Sequence, residues 1–212
     1  MHYVKKRVGI IGVSGRMGSL LTKLLEESEL FSLGVGVHSS SSQADWENVA
    51  RNSDILVDFS RPAATIKAVE IAANGRMPIV IGTTGLSDKD LEKIKLRAEC
   101  VPIMRSSNFS FVTSLMGILL SQCSKILAEF DFSIVDIHHR GKLDAPSGTA
   151  LFLQEQAGRE AQISSIRSGN ICGIHSCDFC GNDEMFKLSH TVFNRSVFAK
   201  GALECAAWLL NQ

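Results

Sequence analysis

Apolar runs and helical repeats alternate through the first half of the chain. Val8 to Ile11 is a short apolar run closed by Gly12, the pattern of a buried strand. Met17, Leu20, Leu21, Leu24 and Leu25 then recur at helical spacing. Phe31 to Val37, Ile55 to Phe59, Pro78 to Ile81 and Pro102 to Arg105 read as further strands. A helix with Pro62 near its first turn and Ala64 to Ala73 as its body follows the third, and Ser87 caps another from about Asp88 to Ala98. This alternation predicts a parallel sheet with helical crossovers. Only about sixteen residues separate the second and third strands, so the helix around Asp45 to Arg51 is expected to be short.

The second half has another rhythm. Val112 to Phe130 reads as one long apolar helix, and Ser133 to Ile137 as a strand. Ala145 to Ala161 begins with loop chemistry and continues as a helix. Ile163 to Phe193 reads as strands, with Gly181-Asn182-Asp183 as a hairpin turn. Gly201 to Leu210 closes with a helix carrying Leu203, Ala206, Ala207 and Leu210 on one face. The serine run from Ser39 to Ser42 reads as a loop.

Composition narrows the classes of function. The 212 residues, 45% hydrophobic and 7% aromatic, suffice for an aliphatic core in one large α/β domain or two small ones. Lys and Arg total 22 against 22 Asp and Glu, so no global field favours nucleic acid or an anionic membrane. The apolar run after Lys5-Lys6-Arg7 is too short for a signal peptide and is broken at Ser14 and Gly15. Nothing later approaches the roughly 18 apolar residues of a membrane span, and a cytoplasmic protein is expected. Six cysteines, at 100, 123, 172, 177, 180 and 205, read as free thiols of a reducing compartment. Cys177-x-x-Cys180, with Cys172, His175 and His190 nearby, raises a zinc site. However, residues 171 to 179 read as a strand, which puts Cys172 and Cys177 on opposite faces, and no second CxxC supplies converging ligands. No metal is expected.

Several stretches carry chemistry. Gly12-Val13-Ser14-Gly15-Arg16-Met17-Gly18 lies between the first strand and first helix, where glycines let backbone approach a pyrophosphate at a helix N-terminus. Its spacing, G-x-x-G-x-x-G, departs from the usual fingerprint and is also compatible with a plain tight turn. The second strand ends in His38-Ser39, with no carboxylate for a ribose hydroxyl, so a ribose phosphate should be tolerated. Gly82-Thr83-Thr84-Gly85 and Ser106-Ser107-Asn108-Phe109 sit at the carboxyl ends of strands, where open sheets bind ligands. In the second half, His138, His139, Arg140 and Lys142 concentrate positive charge at a strand end, and Ser147-Gly148-Thr149 stands at a helix start. Together these suit a small substrate with one or more carboxylates. A histidine among cations is expected to have a depressed pKa or a shared proton. Asp136 and Asp144 could serve as paired acids, although Asp144 reads better as a loop anchor.

The motifs H-H-R-x-K-x-D-A-P-S-G-T, G-x-x-G-R-M-G, D-F-S-R-P, I-G-T-T-G and S-N-F-S, spread over nearly the whole chain, resemble those of the dihydrodipicolinate reductase family. The resemblance implies an α/β fold: a Rossmann-type cofactor domain over 1–108 and 196–212, and a smaller α+β domain over 109–195 whose sheets join in a homotetramer. It implies NADPH or NADH as cofactor and a cyclic dicarboxylate, hydroxytetrahydrodipicolinate, as substrate, in lysine and diaminopimelate synthesis. By the same resemblance, Gly12, Val13, Ser14, Gly15, Arg16 and Met17 would hold the pyrophosphate, with His38 at the ribose. Gly82, Thr83, Thr84, Ser106, Ser107, Asn108 and Phe109 would line the nicotinamide side. His138 would be the general acid–base residue and Lys142 the second proton donor, while His139, Lys142, Ser147, Gly148 and Thr149 would bind carboxylates. Three departures stand out: His38-Ser39 for the family's frequent acidic or acidic-basic pair, Ser106-Ser107 for a small apolar pair, and a shortened stretch between the second and third strands. Two other classes share parts of the pattern: a Rossmann dehydrogenase acting on an amino or imino acid, and a nucleotide-sensing protein. The second has no use for proton donors such as His138 and Lys142.

Overall fold

The short apolar runs of the first half become five parallel strands. In the computed structural model, which describes residues 4–212, these are β1 (Lys6–Ile11), β2 (Phe31–Val37), β3 (Ile55–Asp58), β4 (Ile79–Ile81) and β5 (Ile103–Arg105). Their order is β2-β1-β3-β4-β5, with each adjacent pair parallel. The crossovers are α1 (Arg16–Glu26), α2 (Gln43–Arg51), α3 (Pro62–Gly75) and α4 (Asp88–Arg97). All of β3 is buried, as a central strand covered on both faces must be. One cluster, built on Val8, Ile10, Leu21, Ile55 and Val57, covers one face; another, on Ile11, Val37, Leu56, Ile79 and Ile81, covers the other. Each such fully buried side chain contributes about 1.5–3 kcal/mol. The short α2 is secured by a capping box in which Ser42 and Asp45 exchange side-chain and backbone bonds.

Contacts divide the chain into two units, Met1–Phe109 with Phe198–Gln212, and Ser110–Val197. The last helix, α7 (Ser196–Leu209), starts earlier than Gly201, where the apolar spacing placed its beginning. Gly201 lies inside the helix because a Cβ there would stand 1.8 Å from the Phe109 carbonyl oxygen. It marks a close approach within the first unit, not a helix boundary.

The second unit contains α5 (Phe111–Ile126), β6 (Asp131–His138), α6 (Gly148–Ala157), β7 (Gln162–Arg167), β8 (Gly173–Cys180) and β9 (Met185–Val192). The sheet order is β7-β6-β8-β9, with β6 and β7 parallel across the α6 crossover and the other pairs antiparallel. The β8–β9 turn closes with the Gly181 N–H donating to the Glu184 carbonyl at 2.9 Å. α5 stops before Phe130, its expected end: Leu127 leaves helical geometry, and the Arg159 guanidinium takes the Leu127 and Phe130 carbonyls at 3.2 and 2.7 Å. Alternation along β6 and β8 creates one buried face. Phe132, Ile134, Cys177 and Phe179 fill its apolar half, while Asp136, His138 and His175 continue it in ionisable groups. Cys177 and Cys180 face opposite sides of β8, and burial pushes the Cys177 thiol up to about 12. Among the described residues, no group of three or more His, Cys, Asp or Glu is placed to hold a metal ion.

Candidate functional site

In the first unit, strand order reverses direction at β1, which leaves a crevice at the carboxyl ends of β1 and β3. A cleft of about 320 Å³ opens there, lined by Gly12, Ser14 and Gly15 after β1, His38 and Ser39 after β2, and Ser60 and Arg61 after β3. Gly12 has φ 90°, and a Cβ would stand 2.7 Å from the Phe59 carbonyl oxygen. Gly15 is the N-cap of α1 and makes no side-chain cap bond, so the N–H groups of the first turn remain as anion donors. A pyrophosphate fits this cradle. The side chains of Val13 and Met17 pack on the core, which leaves their backbone for the ligand.

None of the described residues lining the cleft carries a carboxylate. The Asp45 carboxylate is spent locally, accepting the Ser42 N–H at 2.7 Å and hydroxyl at 3.0 Å. His38 Nδ1 accepts the Ser40 N–H at 3.2 Å, so the neutral ring carries its proton on Nε2, a donor. Arg61, which stands in the D-F-S-R-P motif but was assigned no role there, adds a guanidinium to the cleft wall.

The expected nicotinamide loops are partly turned inward. Thr83 is buried; its hydroxyl donates to Asp58 at 2.9 Å and accepts the Ser60 N–H at 2.8 Å. Asp58 is fully buried and also takes the hydroxyls of Ser60 and Thr65, while burial pushes its carboxyl up. Thr83 therefore clamps the loops after β3 and β4, and only its backbone is left for a ligand. Phe109 is likewise a core residue, packed edge-on against Phe59 with ring centroids 5.7 Å apart. The Ser106 hydroxyl closes a turn onto the Asn108 carbonyl at 2.6 Å. Gly82 is tight, a Cβ there meeting the Phe59 ring at 2.1 Å, and Thr84 and Ser107 are exposed.

The second unit gathers the basic segment around one carboxylate. Asp136 is completely buried, and each of its oxygens accepts two bonds. Oδ1 takes His138 Nδ1 at 3.1 Å and Arg167 Nη1 at 2.6 Å; Oδ2 takes the Ser147 N–H at 2.9 Å and the Ser165 hydroxyl at 2.8 Å. Burial works to raise its pKa, but these four bonds outweigh it and hold the carboxyl at about 2. Asp136 is therefore no proton source. It fixes His138 with Nδ1 as donor, leaving Nε2 as the reactive nitrogen. Gly173 of β8 keeps that nitrogen open, since a Cβ there would lie 3.1 Å from Nε2.

The His138 pKa is depressed, as expected, but chiefly by burial; Lys142 and Arg167 add to the effect and Asp136 opposes it. His175, across the sheet from Asp136, packs against His138 with ring centroids 5.1 Å apart and meets the Ser147 hydroxyl at 3.3 Å. Burial first, then the charge of His138, pushes its pKa down to about 4.

Ser147 departs from the expected role. Buried as the N-cap of α6, it spends its hydroxyl on the Ala150 N–H and on His175, so it supports the cradle without facing a ligand. Gly148 is exposed and Thr149 half-buried in the first turn of the helix. His139 Nε2 accepts from Arg195 Nη2 at 2.9 Å, which leaves its Nδ1–H as a donor beside a second cation. Lys142 Nζ lies 2.8 Å from both carboxylate oxygens of Asp144, and the Gly148 N–H also acts on that carboxylate. An internal carboxylate thus rests on the groups expected to hold the substrate's. Asp144 anchors the loop through its carbonyl as well as its side chain, the carbonyl accepting Arg167 Nη2 at 2.5 Å.

Sequence reasoning missed Arg167, Ser165, His175, Gly173, Arg195 and Arg61 as parts of these sites. Asp136-x-His138, two residues apart on one strand face, was a readable signal for the carboxylate–imidazole pair. Arg61 lies in the D-F-S-R-P motif, which carries no sign of its direction; the others are brought in from β7, β8 and the segment after β9, where no local motif announces them.

Comparisons with known proteins agree with the motifs. The family pattern described as "Dihydrodipicolinate reductase, N-terminus" matches residues 6–109, and "Dihydrodipicolinate reductase, C-terminus" matches residues 113–212. The 4-hydroxy-tetrahydrodipicolinate reductase of Rickettsia rickettsii is 32% identical, covering 95% of this chain and 92% of its own. That of Zymomonas mobilis is 34% identical over 97% of this chain and 92% of its own. The dipicolinate-bound dihydrodipicolinate reductase from Paenisporosarcina sp. TG-14 shares the fold, with TM-score 0.79 at 23% identity over 99% of this chain and 94% of that one. The chain belongs to the dihydrodipicolinate reductase family.

Proposed function

We propose that this chain reduces 4-hydroxy-tetrahydrodipicolinate to tetrahydrodipicolinate with NADH or NADPH, in the diaminopimelate route to lysine. The observation that carries this reading is the buried Asp136–His138 pair beside Lys142 and the first turn of α6, where a proton donor and anion donors meet. Loss of water from the substrate leaves a ring carbon conjugated to the imine, and the nicotinamide, when bound, would supply a hydride to that carbon. Gly12, Ser14, Gly15 and the first turn of α1 would hold the pyrophosphate, with His38 and Arg61 facing the ribose and its phosphate. His138 in its imidazolium form, donating to Asp136 through Nδ1, would protonate the neighbouring carbon from Nε2, with Lys142 as the second proton donor. Lys142, His139 Nδ1–H and the N–H groups of Gly148 and Thr149 would oppose the substrate's two carboxylates.

Substitutions separate these roles. His138→Ala and Lys142→Ala should lower turnover about a hundredfold to ten-thousandfold, because proton transfer matters only in the transition state. His139→Ala and Thr149→Val should raise the Michaelis constant for substrate more than they lower turnover. Near-normal turnover in both His138→Ala and Lys142→Ala would remove them from the mechanism.

A homotetramer is part of this proposal. Phe111, Val112, Leu115, Ile118 and Leu119 leave an exposed apolar face on α5, and Met185 and Phe186 are exposed on β9. Light scattering should give four chains; a monomer at micromolar concentration would refute it. A cytoplasmic location is supported by six free cysteines, and no helix among the described residues is long and apolar enough to cross a membrane.

A further inference from the structure

Arg167 makes no contact expected of a catalytic group, yet it joins both ends of the segment that carries His138, His139 and Lys142. It is the last residue of β7, directly opposite His138 in the parallel register. Alternation puts it on the same sheet face as Ser165, and its side chain is 17% exposed. One arm of the guanidinium, Nη1, donates to Asp136 Oδ1 at 2.6 Å. The other, Nη2, donates to the Asp144 carbonyl at 2.5 Å, at the far end of the loop that leads to α6. The strand ends are tied as well: the Ser168 N–H donates to the His138 carbonyl at 2.8 Å, and the Arg140 N–H to the Gly169 carbonyl at 3.1 Å.

A fully buried carboxylate requires a compensating cation. Two cationic partners are within reach of Asp136: Arg167, always charged, and His138, charged only when protonated. If His138 had to balance Asp136, its proton would be locked into an ion pair and withheld from a substrate. We propose that Arg167 is a positioning residue: it carries the counter-charge of Asp136, so that His138 is held in place without surrendering its proton, and its second arm sets the loop bearing Lys142. A single ammonium could supply the charge but not the two-armed geometry.

The groups facing His138 are Asp136 on its own strand, Arg167 on β7, His175 on β8 and Lys142 in the loop, with His190 of β9 stacked behind His175. Removing Arg167 deletes a positive neighbour and leaves only Lys142 to oppose the pull of Asp136 on the imidazole. In Arg167→Met the His138 ring should titrate at a resolvably higher pH than in wild type. This is read by NMR of the histidine ring protons, assigned with His138→Gln and free of any substrate. In turnover, the alkaline limb of the kcat profile should move up with it and kcat should fall at least about tenfold. Arg167→Lys should restore the pH limb but keep a raised Michaelis constant, because the Asp144 carbonyl stays unbound.

The proposal rests on the reductase reading for its kinetic arm only. Should the wild-type enzyme prove inactive on the cyclic dicarboxylate, the reading fails while the NMR titration still decides this inference. NADPH affinity, which depends on the first unit, should be unchanged in both variants, and native hydrogen-exchange protection of the β6 and β8 amides serves as the folding control for the second. If Arg167→Met does not fold, the split between pH limb and Michaelis constant in Arg167→Lys decides. A His138 titration in Arg167→Met matching wild type, or Arg167→Lys matching wild type in both parameters, would overturn it.

Discussion

His175 should make the second unit acid-labile in a measurable way. Its ring is almost fully buried, and its pKa is pushed from an ordinary 6.5 down to about 4. Between those values the unfolded chain binds a proton that the folded chain refuses, so stability falls as pH drops from about 6.5 to about 4. At about 1.4 kcal/mol per pH unit, the loss attributable to this one group approaches about 3 kcal/mol. His138 and His190 are depressed too and act in the same direction. Asp136, held at about 2, loses its contribution only below its ordinary 3.8 and stays out of this window. The informative perturbation is His175→Gln, which keeps a hydrogen-bonding side chain for Ser147 but cannot titrate. Tryptophan fluorescence would report the wrong unit, since Trp46 and Trp208 both lie in the first. Hydrogen exchange of the β6 and β8 amides, corrected for intrinsic rates, gives the opening free energy locally. Between pH 6 and 4.5 the wild-type slope should exceed that of His175→Gln by about 1.4 kcal/mol per pH unit. Equal slopes would show that His175 protonates without penalty, and the account of this buried face would be wrong.

Further outcomes follow from the same geometry. Asp144→Asn removes the carboxylate resting on Lys142 and the Gly148 N–H, and the Michaelis constant for the cyclic dicarboxylate should fall severalfold; an unchanged or raised constant would mean that Asp144 does not compete. Arg61→Ala should weaken NADPH binding by at least about tenfold, the loss of one charge-assisted contact, with little change for NADH; equal losses would deny it the ribose phosphate. Gly201→Ala should destabilise the protein by at least about 3 kcal/mol, because α7 must retreat from the Phe109 carbonyl; a melting temperature near wild type would contradict the close approach.

The fold was legible where periodicity was unambiguous. The five short apolar runs of the first half, with helical repeats between them, can hardly form anything but a parallel sheet, and even the brevity of α2 followed from the spacing. Boundaries were less legible where a tertiary contact decides them: Arg159 ends α5 early, and Gly201 sits inside α7 because of Phe109. In the candidate site the motif residues were visible, but their directions were not. Ser147, Thr83 and Phe109 lie within informative motifs yet turn inward, and only a hydrogen-bond inventory reveals that they support neighbours. Asp136 was readable as an acid; its role as a four-bond anchor depends on Arg167 and Ser165, which a parallel register brings beside it from β7.

The most direct test is oxidation of NADPH by the purified protein, followed with and without the cyclic dicarboxylate in excess over enzyme, and repeated with NADH. Oxidation should occur only when the cyclic dicarboxylate is present, and joint substitution of His138 and Lys142 should abolish it while NADPH still binds. Folded protein that binds NADPH yet turns over the cyclic dicarboxylate with neither cofactor would contradict the reductase reading.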